Sequence, residues 1–284
     1  MSLPASSPTL PAGSARDVPA DDALAGGTSA GRMPAGGMSG GRMSAGGMLP
    51  GLVATACRVL AADGQDHFCF GHVSARGADG GLFVKAVGPS LARVTTARVA
   101  EISPDGSLRT PGLRLHEETA LHQAVYAARP DVGAVVHTHP LAVQSATTLG
   151  PLPDGVFSQD EVPFAAGLAW YDDADLVADT ARAQGFATCL GGARGALLRA
   201  HGLVTVGADV AEATALALLL HRAVSVRLAA MAVGRPRPLP PVTLDRLRGA
   251  FEAGHRGRMT AIWADACAGI GAAAGDGEGD GEDR

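Results

Sequence analysis

Aromatic residues are scarce in this 284-residue chain, with 7 Phe, 2 Tyr and 2 Trp among an abundance of Ala, Gly, Val and Leu, a bias that by itself points to no function. Basic charge is also in deficit. The formal net charge is −5 and no Lys/Arg block stands out, which leaves no electrostatic field to draw in a polyphosphate backbone or an anionic membrane. The four cysteines, Cys57, Cys69, Cys189 and Cys267, contain no CxxC pair, which argues against a zinc knuckle and a dense disulfide framework and for reduced thiols in the cytoplasm. No uninterrupted apolar run reaches the roughly 20 residues of a membrane span, and the N-terminus lacks a basic start followed by an apolar core. These absences exclude nucleic acid, membrane and secreted-scaffold readings and leave a small-molecule ligand.

Residues 1–48 are mainly Gly, Ser, Ala, Pro and Met, with an echo in Gly31-Arg32-Met33 and Gly41-Arg42-Met43, a composition that cannot bury enough apolar surface to offset its ordering entropy. They are expected to be a disordered tail, or to precede a true translation start further downstream. Residues 271–284 are expected to be an acidic solvated tail, and 49–270 one folded domain. Within it the pattern predicts a helix over 52–62, strands over 68–74 and 82–87, a helix over 117–128 stopped by Pro130, and a buried strand over 132–139. A strand pair is expected over 196–206, then a long helix over 210–232 with a capping box at Asp209 and Glu212 and a glycine stop at Gly234. A last helix is expected over 244–267. This alternation predicts a mixed sheet with helices on its faces.

The chemistry-bearing residues are histidines. In Val135-Val136-His137-Thr138-His139-Pro140 two imidazoles stand two apart on a strand, so both project from one face and can chelate one ion. Two core histidines satisfied by hydrogen bonds would give the same triplet. His201 follows an apolar β-type run and precedes Gly202, a third candidate ligand that alone would equally suit a structural role. Glu117 and Glu118 open the 117–128 helix, either as dipole-stabilising carboxylates or as members of the same site.

The stretch His116-Glu117-Glu118-Thr119-Ala120-Leu121-His122 through Tyr126 to Pro140, with Gly71-His72-Val73-Ser74-Ala75-Arg76 and Leu198-Arg199-Ala200-His201-Gly202, closely resembles the class II aldolase/adducin family over about residues 50–232. The resemblance implies an α/β fold, a three-layer α/β/α sandwich with a central mixed, mostly antiparallel sheet, and a homotetramer with sites near subunit interfaces. It assigns His137, His139 and His201 as metal ligands and Glu118 as the acid/base. The substrate is then expected to meet His72, Ser74, Arg76, Lys85 and His116, with Arg93 as a further candidate and Tyr126 or Tyr171 as lesser candidates for proton donor. Imidazole ligands favour Zn²⁺, with Mn²⁺ or Co²⁺ as alternatives and Mg²⁺ least natural. Where sugar-phosphate aldolases of the family carry hydroxyl and amide donors for phosphate, this chain reads Gly71-His72, Ala86-Val87-Gly88 and His116-Glu117. That pattern, with Leu190-Gly191-Gly192-Ala193-Arg194, is more similar to the family's decarboxylase branch. The expectation is a metal-dependent carbon–carbon lyase that decarboxylates a non-phosphorylated hydroxy carboxylic acid, hydroxyaromatic acids being among the candidates. An aldolase or epimerase is the first alternative and an adducin-like scaffold the second.

Overall fold

The computed structural model describes residues 45–275. The expected N-terminal tail therefore lies outside the described residues as far as 44, and the acidic tail from 276 onward. Among the described residues the fold begins with helix α1 (Ala45–Leu60), which starts about two turns before the expected helix and inside the segment read as tail.

The sheet is built from β1 (His72–Arg76), β2 (Leu82–Lys85), β3 (Val99–Ile102), β4 (Ala134–Thr138), β5 (Ala169–Tyr171), β6 (Gly195–Leu198) and β7 (Gly202–Gly207). Their order is β3-β2-β1-β4-β7-β6-β5, and every neighbouring pair is antiparallel except β5 with β6. Helices α1, α3 (Leu141–Thr147) and α5 (Val210–Val233) cover one face, where Val73, Ala134, Val136 and Leu203 meet Val53, Leu60, Leu216 and Leu220. Helices α2 (Thr119–Ala128) and α4 (Thr180–Leu190) cover the other, where Val135, Leu198, Val204 and Val206 meet Leu121, Val125 and Phe186. The fold is thus the expected three-layer α/β/α sandwich around a mixed, mostly antiparallel sheet.

Alternation along β4 sends Ala134 and Val136 to one layer and Val135 and His137 to the other, so the strand is buried on both faces. Helix α5 is capped as its sequence requires, Asp209 Oδ1 accepting from Glu212 N at 2.9 Å and Glu212 Oε2 accepting from Ala208 N at 3.0 Å. It has the length and apolar content of a membrane span, yet it carries Glu212, His221, Arg222 and Arg227 and lays its buried side against the sheet. The expected single C-terminal helix is instead two, α6 (Pro241–Ala253) and α7 (His255–Gly275), broken at Gly254. Short or weakly patterned elements, β3, β5, α3 and α4, gave no periodic signal long enough to read.

Candidate metal centre

Four side chains from three parts of the chain converge beyond one end of the central strands β4 and β7. His137 is the last residue but one of β4, His139 follows the strand, His201 lies in the β6–β7 turn and Glu118 is the residue that caps the start of α2. One ligand atom from each lies within 4.8 Å of all the others. Glu118 Oε2 stands 3.4 Å from His137 Nε2 and 3.5 Å from His201 Nε2, and the His139 and His201 rings stack 4.9 Å apart at 10°. His137 is fully buried, Glu118 and His139 are nearly so, and His201 is the most exposed of the four, so the cluster meets solvent on the His201 side.

Two of the four, His137 and Glu118, are held from behind. His137 donates Nδ1–H to Leu203 O at 2.9 Å, which leaves the Nε2 lone pair facing the cluster. Glu118 Oε1 accepts from Val177 N at 3.1 Å. Thr138, between the two histidines, points to the opposite layer and donates to Gln65 Oε1 at 2.6 Å, which pins the strand. Gly202 is there because a Cβ would lie 2.3 Å from Thr138 O and 2.8 Å from His139 Cδ2, a close approach of backbone to backbone rather than to a ligand.

The donor set suits a borderline divalent cation. His137 Nε2 and His139 Nε2 face each other at 3.0 Å, and His139 Nδ1 is buried without a partner, so hydrogen bonding alone does not account for both nitrogens of that ring. Three imidazoles and one carboxylate match the preference of Zn²⁺ for nitrogen with oxygen. Burial, reinforced by His137 and His201, pushes His139 down to about 2, so this ring is neutral and free to ligate at neutral pH. Burial alone would raise the Glu118 carboxyl, but His137 and His201 hold it well below the usual carboxylate range.

A second group adjoins the first. Lys85, the one lysine of the chain, is fully buried at the end of β2. Its Nζ donates to Cys69 O at 2.9 Å and to His116 Nε2 at 3.1 Å, and no carboxylate among the described residues pairs with it. Burial lowers the Lys85 pKa from its ordinary value, and burial with the Lys85 charge pushes His116 down to about 4. The His116 ring lies 4.9 Å from that of His72, which lies 5.2 Å from that of His137, so Lys85, His116 and His72 form a row that leads from the partly exposed His116 to the cluster.

Two residues expected at the substrate are bonded to protein groups. Arg76 points along the same face as His72, four residues further on at the end of β1, where Nε donates to Val132 O at 3.0 Å and Nη2 to Tyr126 O at 2.8 Å and Arg129 O at 2.9 Å. It clips the end of α2 to the start of β4 and stacks over the Tyr126 ring. Ser74 is fully buried and bonded to His122 Nδ1 at 2.6 Å and Tyr126 OH at 2.8 Å. Tyr171 Oη donates to Arg182 O at 3.2 Å, over the α4 side of β5. Glu117 is exposed while its neighbour Glu118 is buried, which separates the two readings left open for that pair. Sequence reasoning gave no role to Gln65 or to the buried His122; the i, i+4 spacing of Glu118 and His122 on α2 was the signal for the latter. Two cavities, of about 480 and 700 Å³, lie away from the cluster, one bounded by Trp170, Leu197 and Arg227 and the other between α2 and α4.

Residues 51–228 match the family model described as Class II Aldolase and Adducin N-terminal domain. The chain is 32% identical over 194 residues to 3,4-dihydroxyphthalate decarboxylase of Terrabacter sp. (strain DBF63), covering 64% of this chain and 81% of that protein. It is 29% identical over 143 residues to methylthioribulose-1-phosphate dehydratase of Pseudomonas syringae pv. syringae (strain B728a), covering 44% and 70%. Its fold is similar to that of L-fuculose 1-phosphate aldolase from Glaciozyma antarctica PI12, with a TM-score of 0.70 and 24% identity over 80% of this chain and 90% of that one.

Proposed function

The chain belongs to the class II aldolase and adducin family, and from that premise we propose that it is a divalent-metal-dependent lyase that decarboxylates a non-phosphorylated hydroxy acid. Hydroxyaromatic acids are the substrate class favoured by the similarity to 3,4-dihydroxyphthalate decarboxylase. The observation that carries the reading is Lys85. A buried ammonium whose partners are a carbonyl and an imidazole is incompletely compensated, and it stands beside His116 and His72 on the approach to the Glu118–histidine cluster. A substrate carboxylate supplies the missing negative charge.

His137, His139, His201 and Glu118 would hold the cation, Zn²⁺ by ligand preference with Mn²⁺ or Co²⁺ as alternatives. When bound it supplies a Lewis acid that stabilises negative charge on an oxygen next to the reacting carbon. Lys85, His116 and His72 bind and turn the carboxylate so that its bond to carbon lies across the delocalising system. As that bond breaks, the electron pair stays on carbon, CO₂ leaves, and a proton must be delivered to the carbon. Glu118, buried beside His137 and His201, is the side chain that carries it from solvent. The catalytic unit is proposed to span about residues 49–270 and to act as a cytoplasmic homotetramer, which light scattering on the purified protein tests.

The deciding experiment loads the purified chain with Zn²⁺, Mn²⁺ or Co²⁺ and follows a panel of hydroxyaromatic and aliphatic hydroxy acids. Release of CO₂ with the decarboxylated product is expected. Release of an aldehyde, or inversion at a hydroxylated carbon, would replace the proposal by aldolase or epimerase chemistry. Failure to retain any divalent ion near stoichiometry at neutral pH would favour a non-catalytic scaffold.

A further inference from the structure

Behind His72 runs a line of hydrogen bonds that the proposed chemistry does not use. His72 Nδ1 lies 2.7 Å from His122 Nε2, His122 Nδ1 lies 2.6 Å from Ser74 Oγ, and Ser74 Oγ lies 2.8 Å from Tyr126 OH. All four side chains are buried, drawn from β1 and the facing side of α2. Each link needs one proton, and the protons can be ordered in either direction. Which direction holds decides the tautomer of His72.

The inner end settles the order. If the line ran inward from His72, the Tyr126 hydroxyl would receive a hydrogen bond from Ser74 and its own proton would need another acceptor. Among the described residues no acceptor but Ser74 Oγ is bonded to it. If His122 and Tyr126 both donated to Ser74, the Ser74 proton would be left stranded in a fully buried position. The one order that satisfies every buried hydroxyl has Tyr126 donating to Ser74, Ser74 donating to His122 Nδ1, and His122 Nε2–H donating to His72 Nδ1. The remaining His72 proton then sits on Nε2.

That nitrogen has no hydrogen-bond partner among the described residues and is not among their fully enclosed unpartnered atoms, while its ring neighbours are His116 and His137. We infer that Tyr126, Ser74 and His122 are a tautomer-setting chain that fixes the His72 proton on Nε2, making His72 a hydrogen-bond donor to an anionic oxygen of the substrate. Ser74, His122 and Tyr126 are positioning residues, acting through His72. Burial pushes His122 down to about 3 and His72 well below its ordinary value, so both rings are neutral and each carries the single proton the argument assigns. The donor's target rests on the proposed function, whereas the tautomer follows from the hydrogen bonding alone.

The test is nitrogen-15 spectroscopy of the full chain labelled at histidine, in which long-range couplings report which ring nitrogen is protonated. The His72 signals are identified by their loss in His72→Gln. A single His72 tautomer protonated at Nε2 is expected. In Ser74→Ala the chain loses its polarity and the second His72 tautomer, undetectable before, should rise to a comparable share; Ser74→Thr, which keeps the hydroxyl, should restore one tautomer. An Nδ1-protonated His72 in the unmodified chain overturns the inference, as does a Ser74→Ala spectrum in which His72 is unchanged. Should Ser74→Ala not fold, the unmodified spectrum still decides. Turnover is read separately: an Nε2 tautomer without any turnover supports the chain and removes the enzymatic proposal, and turnover with the Nδ1 tautomer does the reverse.

Discussion

His72 on β1 and His137 on β4 are paired directly across the antiparallel ladder, with ring centroids 5.2 Å apart. The same register sets Ser74 against Val135. A one-residue slip of β1 against β4 would send His72 to the opposite layer, towards Val53 and Leu60, and leave His137 where it is, because side chains alternate with a period of two. The approach to the cluster and the cluster itself are therefore aligned by the sheet's own pairing, with the apolar alternation of Val73, Ala75, Ala134 and Val136 holding the register.

Removing a ligand and removing the proton carrier should separate. His139→Ala takes away one of three imidazoles and is expected to abolish both metal retention and activity, measured by metal analysis after gel filtration. Glu118→Gln keeps a neutral oxygen at the site and is expected to retain the ion while turnover falls by about 10²-fold or more, the usual contribution of a positioned acid/base. Full activity in His139→Ala would sink the proposed centre.

Gly202→Ala should be among the most damaging methyl additions in the protein. Its Cβ would meet the Thr138 carbonyl at 2.3 Å, and backbone cannot swing aside as a side-chain tip can. Overpacking of this kind costs about 3 kcal/mol. Thermal melting should show the loss, and metal affinity should fall with it because His139 Cδ2 is also displaced. A variant that melts at the parent temperature would contradict this reading of the β6–β7 turn.

Arg76→Ala is expected to weaken the fold and spare substrate recognition. The guanidinium joins the last turn of α2 to the start of β4 through three carbonyls, and charged hydrogen bonds of this kind contribute about 2 kcal/mol net. Chemical denaturation should reveal a loss of that order, with KM for the acid unchanged below the melting range. A large rise in KM without loss of stability would return Arg76 to the substrate.

Much of this was legible because the signals were periodic or local. The apolar run 132–139, the capped 210–232 segment and the HTH triplet each carry their own physics, and the structure has β4 and α5 where they were read. For Arg76 the strand pattern shows which face the residue takes but not how far along it the site extends; four residues on from His72 the same face meets helix carbonyls. The break at Gly254 is equally invisible, since the residues on either side continue a helical composition. Lys85 had a signal that composition alone could supply, a solitary lysine among arginines, but its burial depends on β2 pairing and no local pattern contains that.

Acid should destabilise the metal-free protein earlier than carboxylate titration would require. His122 is pushed down to about 3 by burial, with a further contribution from His137, against about 6.5 in an unfolded chain. Between those values the unfolded state binds a proton that the native state refuses. Stability therefore rises with pH through this window and is lost as pH falls below 6.5, at about 1.4 kcal/mol per pH unit for this one ring. His72, held well below its ordinary value by burial, acts in the same direction. Urea unfolding at pH 7 and pH 5 should then show the parent losing about 2 kcal/mol more than His122→Gln, in which that titration is absent. Equal losses in the two proteins would mean that His122 is protonated in the folded state, and with it the order of the Tyr126–Ser74–His122 hydrogen bonds would have to be redrawn.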